Sequence, residues 1–193
     1  LSKLAQDGVR IRASAGAASF RREQTLDHHL ETAQTIVAEL KREVEARSDA
    51  SNQRIKAAKE RAARERTERL KAAQAALAEI KRQRQAREDK RNNGKTPKEP
   101  RASTTDPDAR VMKMADGGFR PGYNVQVASA AGEQIVAGLD VTNIGSDRGL
   151  MQPMLDRLRA RTGRLPGRHL VDGGFGSAED IEWRSEERRV GKE

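Results

Sequence analysis

His169-Leu170-Val171-Asp172-Gly173-Gly174-Phe175 is the stretch whose reading decides the fold. An apolar run ends on a carboxylate, and two glycines follow at once. That pattern describes a buried strand whose last residue presents an acid at the sheet edge, just before a tight turn. In open α/β sheets, chemistry gathers at the carboxyl ends of strands. An acid in that place holds a metal ion if a second acid arrives from another strand. An ordinary Asp-Gly turn has the same local spelling, so the question passes to where a second acid lies.

Working outward, one candidate stands near the start. Val9, Ile11 and Ala13 alternate with Arg10, Arg12 and Ser14, a period of two that predicts a half-buried strand with the apolar residues inward. Asp7-Gly8 sits at its head. A second hairpin is legible as Tyr123–Ala128, a turn at Ala130–Glu133, and a return strand over Gln134–Val141. Asn143–Asp147 reads as a helix-capping loop. Leu150, Met151, Met154, Leu155 and Leu158 then make one apolar helical face that Gly163 stops. Ser177–Ile181 opens a further helix. Residues 101–122 read as loop.

Between the first strand and the hairpin the character changes. Leu26, Leu30, Ala33, Val37, Leu40 and Val44 are spaced four and three apart, as are Leu70, Ala73, Leu77 and Ile80. Ser48–Asn52 breaks the two runs, and Asn92-Asn93-Gly94 with Pro97 and Pro100 ends the second. The expected arrangement is an antiparallel helical hairpin. Residues 20–100 hold 21 Lys and Arg against 14 Asp and Glu, so most of the chain's net charge of +9 lies here. Residues 81–98 alone carry eight bases and two acids. Such an excess describes either a solvated helix face or an arm that follows phosphates.

The totals agree with a nucleic-acid partner. The 193 residues are 35% charged and contain five aromatic side chains, thin material for a core. There is no cysteine, which excludes disulfides and thiolate metal sites. No apolar run reaches the roughly 20 residues of a membrane span, and no signal peptide is visible, so a cytoplasmic protein is expected. The chain begins Leu1-Ser2-Lys3 and is expected to be a fragment. His28, His29 and His169 have no third ligand near them and read as structural or exposed rather than as zinc ligands.

Leaving out the helical excursion, the elements run strand, two-stranded hairpin, helix, strand, start of helix. The expected fold class is thus α+β or α/β, an incomplete ribonuclease-H-like β-β-β-α-β core with a long helical-hairpin insertion between its first and second strands. Residues 1–19 and 101–183 form the partial core and residues 20–100 the insertion. In such a core the first and fourth strands are neighbours, which brings Asp7 to Asp172.

Five blocks in order now resemble a known family: Gln6–Ala13, Thr105–Met112, Gly122–Gln126, Asp140–Asn143 and Val171–Phe175 are similar to those of bacterial insertion-sequence transposases of the DDE class. The resemblance spans nearly all of residues 1–183. It implies metal-dependent cleavage and transfer of DNA strands, with Asp7 and Asp172 as the first two catalytic, metal-holding acids. It also implies Mg²⁺ or Mn²⁺ as cofactor, transposon ends and target DNA as partners, and a homo-oligomer for the intact enzyme. Asp106 is the runner-up for the first acid. The family's third acid, usually Glu, lies beyond a fifth strand, and none is assigned here; this fragment is therefore expected to be inactive. Residues 184–193 look like a translated sequencing adapter, an artefactual tail expected to bury nothing. Two other functions fit parts of the chain: a non-catalytic, basic coiled-coil module that binds nucleic acid, and a metal-dependent nuclease on the same fold.

Overall fold

A computed structural model of the chain describes residues 2–45, 50–88, 99–133 and 135–176, together with residues 180 and 182. The expected turn at Ser48–Asn52 lies partly outside them, as do the end of the second helical run, most of the helix at Ser177–Ile181, and the tail 184–193. The chain divides into two compact units, residues 1–13 with 110–193, and residues 14–109.

The first unit is a mixed sheet with a helix on one face. Its strands are β1 (Lys3–Arg12), then, numbering along the chain past the second unit, β4 (Arg110–Lys113), β5 (Phe119–Ala130), β6 (Ile135–Thr142) and β7 (Arg168–Leu170). β5 is the hub. It pairs antiparallel with β1, with β4 at one end and with β6 at the other, where a bulge falls between Ala128 and Ser129. β7 lies parallel to β1 on its far side. A parallel neighbour needs a crossover, and the helix α3 (Met151–Thr162) lies between β6 and β7 in the chain. Met151, Met154, Leu155 and Leu158 of α3 bury against Leu4, Ala128, Ala137 and Phe175. Gly163 caps the helix at φ 71°, a left-handed turn that a side chain would strain.

The second unit is built on two helices, α1 (Glu23–Glu45) and α2 (Ala50–Glu88). They run antiparallel: Lys81 reaches Glu23 and Gln74 reaches Asp27 at one end, while the Lys56 ammonium donates to the Glu43 carbonyl at the other. The seam buries Leu26, Ala33, Leu70, Ala73, Leu77 and Ile80, residues that the four-three spacing picks out. A ribbon of β2 (Phe20–Arg21) and β3 (Ala102–Ser103) closes the base, with Ala102 joining that core.

Three expectations need correction. Residues 101–122 are not plain loop: β3 lies there, and β4 forms a hairpin with β5 around Asp116-Gly117-Gly118. Four- and two-residue strands are too short for alternation to register. The capping role expected of Asn143–Asp147 is not found either; the N-cap of α3 is Leu150, with no side-chain cap, and Asp147 is engaged elsewhere. The third concerns which face of β1 is inside. Val9 and Ile11 are about half exposed, at 50% and 51%, while Leu4 and Gln6 are buried and Arg10 is half-buried. Among the described residues α3 covers one face of the sheet, and that face takes the polar half of the alternation.

Candidate metal centre

Asp7 lies in β1 directly opposite Val127 of β5. On its other side runs β7. The recorded pairs are Lys3 with Arg168, Leu4 with His169 and Ala5 with Leu170. Each pair differs by 165 positions, and 165 positions also separate Asp172 from Asp7. The ladder ends at Leu170, but Asp172 keeps extended backbone, with φ −78° and ψ 175°. Continued two residues beyond the last recorded pair, the same register would set Asp172 abreast of Asp7.

Alternation then assigns the face. Val171 packs on the α3 core, so Asp172, the next residue, points to the opposite face. Asp7 falls between Gln6 and Gly8, which belong to the α3 side, and is itself exposed. Both acids therefore occupy the open face. Each has one oxygen tied locally: Asp7 Oδ1 accepts from the Gly8 N–H at 2.7 Å, and Asp172 Oδ1 accepts from the Gly174 N–H at 2.8 Å. These short bonds fix each carboxylate against its own backbone and leave both Oδ2 atoms free. Neither acid has an ion-pair partner among the described residues.

Behind Asp7, on the α3 face, lies a polar cluster that the sequence reading missed. Asp147 is 9% exposed. Its Oδ1 accepts from Asn124 Nδ2 and from Gln126 Nε2, both at 2.8 Å, and its Oδ2 accepts from Arg10 at 2.6 Å. Asn124 also donates to the Ile144 carbonyl, and Gln126 to Asn124 Oδ1. Gln6 Nε2 donates to Gln126 Oε1 and to the Leu150 carbonyl. Burial by itself raises the Asp147 pKa, but the bonds from Asn124, Gln126 and Arg10, with the Arg10 charge, outweigh it and hold the carboxyl below its usual value. Gly8 fits over this cluster because it has no side chain. A Cβ there would meet the Asp147 carboxylate head-on and come within 2.5 Å of Gln126 Nε2. The signal was present as Asn124 and Gln126 alternating with valines, but a polar residue in alternation reads as solvent-facing.

Asp106 is elsewhere. It sits in a turn of the second unit, where its Oδ1 accepts from the Ala109 N–H at 3.3 Å. Among the described residues no group of three or more Asp, Glu, His or Cys side chains is placed to hold a metal ion, so Asp7 and Asp172 stand as a pair. No helix among them is long and apolar enough to cross a membrane. No family model, no curated protein and no solved structure matches this chain.

Proposed function

We propose that the chain carries two acids of the catalytic centre of a metal-dependent DNA transposase of the DDE class, built on a ribonuclease-H-like core. The observation that carries this reading is the common offset of 165 positions, which ties the β1–β7 register to the two acids. The strand order β6-β5-β1-β7, antiparallel until the last pair, supports it. So does α3, which leads from β6 to β7.

The donor set fits a hard divalent cation. Two carboxylates abreast on neighbouring strands repel each other, and no cation among the described residues relieves that repulsion. Mg²⁺ or Mn²⁺ prefers carboxylate oxygens of this kind. When bound, such ions polarise a phosphoryl oxygen and ease deprotonation of a water or 3′-hydroxyl. The chain's own part is to hold the two Oδ2 atoms on one face, with Gly8 and Gly174 fixing the carboxylate orientations. The third acid of such a centre is not among the described residues. A cytoplasmic setting, DNA ends as substrate and assembly of several subunits belong to the same reading.

The test is Mn²⁺ titration of the chain followed by electron paramagnetic resonance. Asp7→Asn and Asp172→Asn should each weaken binding about tenfold or more, equivalent to roughly 1.4 kcal/mol, and Asp106→Asn should leave it unchanged. Binding that depends on Asp106 and ignores Asp7 would overturn the assignment. Transfer of DNA ends by the complete enzyme, rather than hydrolysis alone, separates a transposase from a nuclease on the same core.

A further inference from the structure

The helical unit holds a cavity of about 400 Å³ where the β2–β3 ribbon meets the two helices. Three elements build it. Arg21 comes from β2, with Thr104 and Thr105 just after β3; His29 comes from α1; Arg66 and Arg69 come from α2, and Leu70 beside them is buried. No acid lines it. The ribbon wall is fixed by a Ser19–Ser103 hydroxyl bond of 2.7 Å and by the Thr104 N–H donating to the Ser19 carbonyl at 3.0 Å.

Elsewhere on this unit some bases are matched with acids: Lys71 with Glu68, Lys81 with Glu23, Arg22 with Glu99, Arg64 with Glu60. The side chains of Arg21, Arg66 and Arg69, like those of Arg54, Lys59 and Arg61, make no ion pair or hydrogen bond among the described residues. A base on a helix surface is ordinarily just solvated, but here three guanidiniums from two elements converge on one concavity. Their mutual repulsion is unfavourable unless an anion sits among them. Guanidinium forks match phosphate oxygens in pairs. The Thr105 hydroxyl and the His29 ring add further donors of the kind that orient such a group.

We propose that this cavity is a phosphate-binding site and that its ligand is a phosphodiester of a nucleic-acid backbone. A sugar-phosphate chain passing the open mouth presents one charged group at a time to a site of this size, and a run of further bases lies along the same helices. Arg66 and Arg69 are three residues apart on one face of α2, about 4.5 Å in rise, so both reach a single phosphate. The site stands on residues of the helical unit alone and does not require the assignment of Asp7 and Asp172.

The experiment measures binding of the full chain to a short fluorescein-labelled DNA duplex by anisotropy over a series of KCl concentrations. Arg66→Gln with Arg69→Gln is compared with Arg54→Gln with Lys59→Gln, an equal charge change elsewhere on α2. Arg21→Gln, off the helices, serves as an independent pocket variant, and far-ultraviolet circular dichroism confirms that all variants fold. The pocket pair should lose about tenfold or more in affinity, and its plot of log K against log salt should flatten by about 0.9, the contribution of one phosphate contact. Arg21→Gln should act in the same direction, and the Arg54/Lys59 pair should lose distinctly less. Equal losses in the two pairs would reduce the effect to diffuse charge and overturn the site. If the pocket pair abolishes calorimetric binding of inorganic phosphate yet leaves the DNA slope unchanged, the ligand is a free phosphate compound and the nucleic-acid assignment falls. Asp7→Asn, run in parallel, should leave DNA binding intact, so failure of either proposal is visible without the other.

Discussion

The two faces of the sheet contrast with each other. The face under α3 carries Leu4 and Ala128 at one end and the Gln6–Asn124–Gln126–Asp147–Arg10 cluster at the other. The open face carries Val9, Ile11, Leu139 and Val141, each at least half exposed, and both candidate acids. The lesson is that hydrophobic alternation identifies a strand without saying which side another element will cover. A polar cluster whose donors are hydrogen-bonded is acceptable inside, because each donor exchanges water for an equivalent partner; among the described residues its one buried atom left without a partner is Gln6 Oε1. Unpaired carboxylates have no such option, and they lie on the face where water or a cation can reach them.

The largest test of that contrast uses one residue type on both faces. Leu4→Ala, at a fully buried site, should cost about 2–5 kcal/mol in chemical denaturation. Leu139→Ala, at 57% exposure, should cost under about 1 kcal/mol. Comparable losses would mean that the open face is covered in solution. Next in size, Gly8→Ala should destabilise by about 1–3 kcal/mol, because the new methyl displaces the Asp147 carboxylate from its three donors. A neutral Gly8→Ala would show that the cluster does not pin β1.

A smaller effect follows from the lowered pKa of Asp147. Its folded value lies below the unfolded carboxylate value of about 3.9. The stabilisation from its charge is therefore complete above that value and is lost as pH falls through the folded pKa. Asp147→Asn should flatten the acid limb of a melting-temperature profile while changing stability near neutrality by less than Asp147→Ala does. The alanine leaves Asn124, Gln126 and Arg10 without their acceptor. An unaltered acid limb in Asp147→Asn would assign the pH dependence to other carboxylates.

How much of this was legible beforehand differs by element. The helical seams were read from spacing, since Leu26, Leu30 and Ala33 on one run, and Leu70, Ala73 and Leu77 on the other, recur at intervals only a helix produces. The face of α3 was equally clear. That β1 and β7 are neighbours was reached from element order alone, because pairing over so long a separation leaves no local trace; the parallel sense comes from the structure. Asp147 was misread for a related reason: an acid before a helix looks like a cap, and the partners that claim it are 21, 23 and 137 positions away. The convergence of Arg21 with Arg66 and Arg69 was invisible too, since each sits in an ordinary charged run.

The smallest predicted change in stability bears most directly on function. In the proposed centre, with neither acid ion-paired among the described residues, Asp7→Asn would remove a like charge beside Asp172 and no buried contact. Without divalent cation it should leave stability within about 0.5 kcal/mol of the parent, on the stabilising side. Mn²⁺ should reverse the order. A ligand that binds only the folded chain adds RT ln(1 + [L]/Kd), about 2.7 kcal/mol at a hundredfold excess over Kd, and the variant would forgo most of that gain. Melting curves with and without Mn²⁺ therefore cross between parent and Asp7→Asn if the two carboxylates share a cation, and Asp172→Asn should trace the same crossing. Parallel curves would leave Asp7 and Asp172 as two solvated acids at the end of a strand pair, and the open face without its chemistry.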